Sequence, residues 1–155
     1  MKLYDLALGP STLLALAVAV GSVLALPSDE APARVVVTDT ETTILDVVEF
    51  VPGTATLRPG SLLTLDAVAD TLRGNPSIEL VEVQSHTAGK SDDAASLDLS
   101  QQRADVVATY IEARGVAPDR LEAQGYGNTQ PIDVTAPAKN ERMAFLILKR
   151  TSDTP

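Results

Sequence analysis

The order of apolar segments predicts an α/β fold, a mixed β-sheet covered on one face by two main helices in the order strand–helix–strand–helix–strand–strand (βαβαββ). Two stretches, one from Ser61 and one from Leu99, repeat apolar residues at helical spacing on one side only. Short runs rich in Val, Ile and Phe precede, separate and follow them. Because each helix has a single apolar face, both should lie on the same side of the sheet, with right-handed strand–helix–strand crossovers.

Met1–Leu26 has Lys2 at its start and an unbroken apolar run over Leu13–Leu26. That run alone is shorter than the ~20 residues that cross a bilayer. It suits either a signal peptide, with cleavage after Ala25, or a retained N-terminal membrane anchor if the segment is counted back to Leu6. A polar linker with two prolines follows over residues 27–34. The folded region is expected over 35–149, with a polar tail at 150–155.

Within it, Val35–Val37 is a short β-branched run, Asp39–Thr43 is turn-like, and Ile44–Val51 reads as the first clear strand before the Pro52-Gly53 turn. Ser61 is placed to cap a helix whose apolar face is Leu62, Leu65, Val68, Ala69 and Leu72. Gly74-Asn75-Pro76 stops it. Ile78–Val83 is the next strand. The second helix is expected from Leu99 to Arg114, with Asp98 and Gln101 as a capping box and Ala104, Val107, Ala108 and Ile111 as its core face. Arg120–Gln124 should be a short strand, Gly125–Asn128 a loop, Thr129–Lys139 a polar excursion and Met143–Leu148 the last strand.

Composition excludes several functions. The 155 residues are 45% hydrophobic but 3% aromatic, so the core must be aliphatic. A net charge of −9 leaves no basic stripe for nucleic acid or an anionic membrane surface. The lack of cysteine excludes disulfides, thiol catalysis, thiolate zinc sites and a lipid on an N-terminal cysteine.

The chain is organised around Ser85–Ala104. The single histidine, His86, lies here, and Arg103 falls in the first turns of the expected helix, where the backbone favours an anion. A ligand pocket is expected at this place. His86 with Ser85 or Ser100 has no shaped catalytic motif around it, and a strand-end histidine bonded to loop backbone explains it as well. Asp92, Asp93 and Asp98 fit no calcium loop. Tyr126, between two glycines, is placed either to line the pocket rim or to pack the loop. No metal and no cofactor is expected.

Taken together, several pieces resemble the OmpA-like domain family, of the OmpA C-terminal, Pal and MotB type. These are Val48–Leu57, Leu65–Ala69, His86-Thr87, Leu99-Ser100-Gln101-Gln102-Arg103-Ala104, Gly125-Tyr126-Gly127, Gln130-Pro131-Ile132 and Asn140-Glu141-Arg142. The resemblance spans roughly Ile44 to Lys149 and implies the two-layer sandwich of that family. It also implies a non-catalytic periplasmic module of a double-membrane bacterium that binds the diaminopimelate of the peptidoglycan stem peptide, with envelope proteins as further partners. By the same resemblance the ligand-binding positions are Thr87, Ala88, Leu99, Arg103 and Arg142. Arg103 matches the family arginine that pairs with the ligand carboxylate.

The chain departs from the pattern elsewhere. Ala88 stands where the family has the aspartate that receives the ammonium. Ser85 replaces a glycine, Ser96 an asparagine, and Glu141 an arginine. Losing one partner of a desolvated ion pair costs about 2–5 kcal/mol, on the order of 30- to 4000-fold in affinity. Peptidoglycan binding is thus expected to be weak, unless Asp92 or Asp93 takes over. The alternative is a protein–protein adaptor in an envelope complex that has given up the ligand.

Overall fold

A computed structural model describes residues 35–37, 41–44, 48–88 and 93–151. All of these lie within Pro32–Pro155, one of the two units into which the chain divides. The expected leader or anchor (1–26), the linker (27–34), most of the tail and the loop at 89–92 lie outside the described residues.

Strands β1 (Val35–Val37), β2 (Glu41–Ile44), β3 (Ile78–His86), β4 (Leu121–Gly127) and β5 (Arg142–Arg150) form one sheet in the order β1-β2-β5-β3-β4. Helices α1 (Gly60–Gly74) and α2 (Asp93–Ala113) complete the architecture. β3 and β4 are parallel and joined through α2, while β3–β5, β5–β2 and β2–β1 are antiparallel. This is the α/β sandwich expected, with one more strand than the expected order had.

Strand alternation sorts the sheet into two faces. Val81 and Val83 of β3 and Phe145 and Ile147 of β5 are buried and meet in register, Val83 opposite Phe145 and Val81 opposite Ile147. They form one core with Leu65, Val68, Ala69 and Leu72 of α1 and Val107, Ala108 and Ile111 of α2. Both helices therefore cover the same face, as the periodicity required. Arg120 closes the far end of α1: its Nη2 donates to the carbonyls of Leu72 in the last turn, Asn75 at the cap and Ile78 at the start of β3, placing a cation at the negative end of the helix.

Six local expectations are corrected. Residues 41–43 belong to β2 rather than to a turn. The strand expected over Ile44–Val51 is not formed as one piece: Ile44 ends β2, and residues 49–58 close into a hairpin of their own. There the Val51 N–H donates to Thr56 O, the Arg58 N–H to Glu49 O, and Phe50 bridges Leu57, because Gly53 adopts φ +70° and turns the chain back before it reaches the sheet.

Ser61 does not cap α1. Its hydroxyl accepts the Glu49 N–H and donates to Glu49 O, tying the hairpin to the helix start. α2 begins at Asp93, not Leu99, since Ala94, Ala95 and Leu97 are strong helix formers with no Gly or Pro among them. In place of a capping box, Asp98 accepts from the Gln102 side chain one turn on.

Finally, Gly125-Tyr126-Gly127 is strand, not loop. A Cβ at Gly125 would lie 2.3 Å from the Gln101 nitrogen, and one at Gly127 3.0 Å from that of Leu97, so the glycines let α2 sit directly on β4. Gln101 then serves the edge strand as a neighbouring strand would: Oε1 accepts the Gly125 N–H and Nε2 donates to Ala123 O. The Gly127 N–H donates to Ser100 Oγ.

Candidate functional site

A cavity of about 220 Å³ opens where β3 ends and α2 passes the 49–58 hairpin. Thr87 and Ala88 line it from the exit of β3. Ala95, Ser96, Leu99 and Arg103 line it from α2, while Gly53 and Glu141 close it from the hairpin and the approach to β5. Gly53 and Glu141 also border a second groove of about 370 Å³, which continues along Phe50, Pro52 and Arg58.

Arg103 is the floor of this cavity and is 2% exposed. Its guanidinium lies over the Phe50 ring at 4.7 Å, its Nε donates to Thr54 O at 2.9 Å, and its Nη1 donates to Glu141 Oε1 at 2.7 Å. Because α2 starts at Asp93, Arg103 sits about three turns in. The helix N-terminus contributes nothing there, and any anion is held by the side chain itself. A guanidinium so far from water needs a countercharge, which the half-exposed Glu141 supplies.

Glu141 is held by its neighbours. The Asn140 side chain accepts the N–H groups of Ile132 and Asp133 and donates to Asp133 O, pinning the loop just before Glu141. Asp133 folds that loop further by accepting from Thr135, Ala136 and Lys139, which bring its pKa from 3.8 to about 2.

Of the expected ligand positions, Thr87, Ala88, Leu99 and Arg103 converge on the cavity. Arg142 does not line it: its guanidinium is turned to the carbonyls of Gln130 and Asn140. Glu141 takes the position instead, and was missed as a site residue. The signal was parity, since 141 falls in step with the buried 145 and 147, and 142 does not.

His86 is buried and stacks on Tyr126 with centroids 5.1 Å apart. Burial, aided by the Arg142 charge and opposed by Glu82, lowers its pKa from 6.5 to about 4. Among the described residues neither ring nitrogen has a hydrogen-bond partner, so it pairs with neither Ser85 nor Ser100. Ser100 Oγ instead donates to Leu97 O. Tyr126 lies off the cavity, with its hydroxyl donating to Glu82. No cluster of acidic or histidine side chains suited to a metal is found among the described residues.

The model of the OmpA family matches residues 49–144. Outer membrane protein P5 of Haemophilus influenzae is 40% identical over 85 residues, 55% of this chain and 24% of that protein. The peptidoglycan-binding protein ArfA of Mycobacterium bovis is 35% identical over 97 residues, 60% of this chain and 29% of that protein. The matched part is thus about a quarter of these relatives' length. Among solved structures, the OmpA-like domain of FopA1 from Francisella tularensis superposes with a TM-score of 0.62 at 19% identity, covering 77% of this chain and 83% of that one.

Proposed function

The chain belongs to the OmpA family, and from that premise we propose that it is a non-catalytic cell-envelope module that contacts peptidoglycan through the Arg103 cavity, weakly because the wall at position 88 is a methyl group. The observation that carries this reading is the buried guanidinium of Arg103 facing a cavity bordered by Thr87, Ala88 and Leu99. Such a group, stacked on Phe50 and aimed by Thr54 O, is built to receive a planar anion such as a carboxylate. In this reading the module works in the periplasm of a double-membrane bacterium, held at a membrane through residues 1–26 if they are retained, with the folded part over 35–149.

The second reading, a protein–protein adaptor that no longer takes the ligand, is favoured by Glu141 already bonded to Arg103. The net charge of −9 also gives no long-range attraction to an anionic cell wall.

Co-sedimentation of the full chain with diaminopimelate-type sacculi tests both. The first reading expects the chain to pellet, soluble meso-diaminopimelic acid to release it, and Arg103→Ala, checked for folding by circular dichroism, to stay in solution. A chain that stays in solution at every sacculus concentration, while Ala88→Asp pellets, supports the adaptor.

A further inference from the structure

We propose that Glu141 supplies the acidic half of a recognition site whose basic half is Arg103, so that the cavity takes the ammonium and carboxylate of an amino-acid zwitterion together. The proposal rests on the reading of this cavity as the ligand pocket and goes further in assigning its acid.

Three observations converge on it. Arg103 and Glu141 are the charged groups among the described residues lining the cavity, and they form a neutral pair. A lone anion would compete with Glu141 for Arg103, and a lone cation would compete with Arg103 for Glu141. A zwitterion satisfies both, alternating the charges around a ring with no net charge desolvated.

The pair also has capacity to spare. Arg103 uses Nε on Thr54 O and Nη1 on Glu141 Oε1, and no bond of Nη2 or of Glu141 Oε2 is found among the described residues. Nη2 can donate to a carboxylate, and Oε2, on a side chain 51% exposed, can accept from an ammonium. The third observation is Thr87. It lines the same cavity, is 5% exposed, and its Oγ1 is buried without a hydrogen-bond partner among the described residues. A buried hydroxyl left unpaired is costly, and an ammonium or carboxylate in the cavity would satisfy it. Ala88 contributes the space in which that group sits.

The zwitterion has two sources, the free end of a diamino acid in the cell wall or a soluble amino acid. The test titrates the full chain with meso-diaminopimelic acid by calorimetry and sediments it separately with sacculi. Glu141→Gln keeps the size of the side chain and an oxygen for Arg103 but removes the charge. The expected result is at least tenfold weaker binding of meso-diaminopimelic acid by Glu141→Gln, titrated well below its own melting temperature with folding checked by circular dichroism, with most of the loss recovered by adding Ala88→Asp. Diaminopimelic acid with both amines acetylated, which keeps the carboxylates alone, should bind the natural chain poorly.

Equal or tighter binding by Glu141→Gln overturns the proposal and makes Glu141 a plug, while sedimentation by the natural chain leaves the peptidoglycan reading standing. Glu141-dependent binding of the soluble compound without sedimentation supports the proposal and removes the cell wall as the source. Binding of neither overturns it.

Discussion

Gly125 lies directly beneath the backbone of Gln101, close enough that a Cβ there would be 2.3 Å from the Gln101 nitrogen and 2.6 Å from its Cα. This approach places α2 on the edge strand, and Arg103 stands two residues further along. Gly125→Ala must push backbone against backbone. It is expected to cost about 3 kcal/mol, the upper end of overpacking, measured by urea unfolding. Gly127→Ala, with φ +54° and a 3.0 Å approach, combines a milder collision with left-handed strain and should cost about 1–2 kcal/mol. Because the helix carries Arg103, Gly125→Ala should also weaken ligand binding in whatever fraction still folds.

Arg120 joins the carbonyls of Leu72, Asn75 and Ile78 through one guanidinium, adding a charged donor where the Leu72 and Asn75 carbonyls already accept a backbone N–H. Arg120→Ala should cost about 2–4 kcal/mol, since charged hydrogen bonds are lost while their acceptors stay partly buried. Arg120→Lys keeps the charge near the helix end but not the planar fork, and should recover less than half of that loss in the same unfolding measurement.

His86 makes the stability depend on pH. Its folded pKa, about 4, lies below the ordinary 6.5. As the pH falls from about 6.5, the unfolded chain takes up a proton that the folded chain refuses, so stability declines down to about pH 4 and the histidine contribution then levels off. Phe in its place would keep the stack on Tyr126. The difference in unfolding free energy between the natural chain and His86→Phe should therefore slope between pH 6.5 and 4 and be flat above pH 7.5.

The sequence made the two-layer plan legible because its apolar residues obey one period at a time. Ala104, Val107, Ala108 and Ile111 sit on one side of a helix and are all buried. Arg103 was legible through its motif. The role of residues 48–58 was not, because a run rich in Val and Phe looks the same whether its hydrogen bonds go to a sheet or, as here, back to itself across a glycine turn. The extended strand over Gly125–Gly127 was hidden for a similar reason: glycine signals a turn locally, while here it answers a helix packed from elsewhere in the chain. Glu141 was visible as a departure from a pattern, but its salt bridge spans 38 residues and depends on the Asn140 loop, which no local spacing encodes.

Ala88→Asp adds a second carboxylate to the cavity wall without disturbing a hydrogen bond. It should tighten the binding of diaminopimelate-type peptidoglycan by about tenfold or more, within the range of a desolvated charge pair. The check is sedimentation of the full chain across a series of sacculus concentrations.

The most direct measurement is calorimetric titration of the full chain with a soluble muropeptide carrying diaminopimelate, beside Arg103→Lys. Lysine keeps the positive charge but loses the fork that Phe50 and Thr54 orient. The account predicts saturable binding by the natural chain and at least tenfold weaker binding by Arg103→Lys at a similar melting temperature. Equal binding by the two would contradict it, because the muropeptide would then be held somewhere other than the Arg103 cavity.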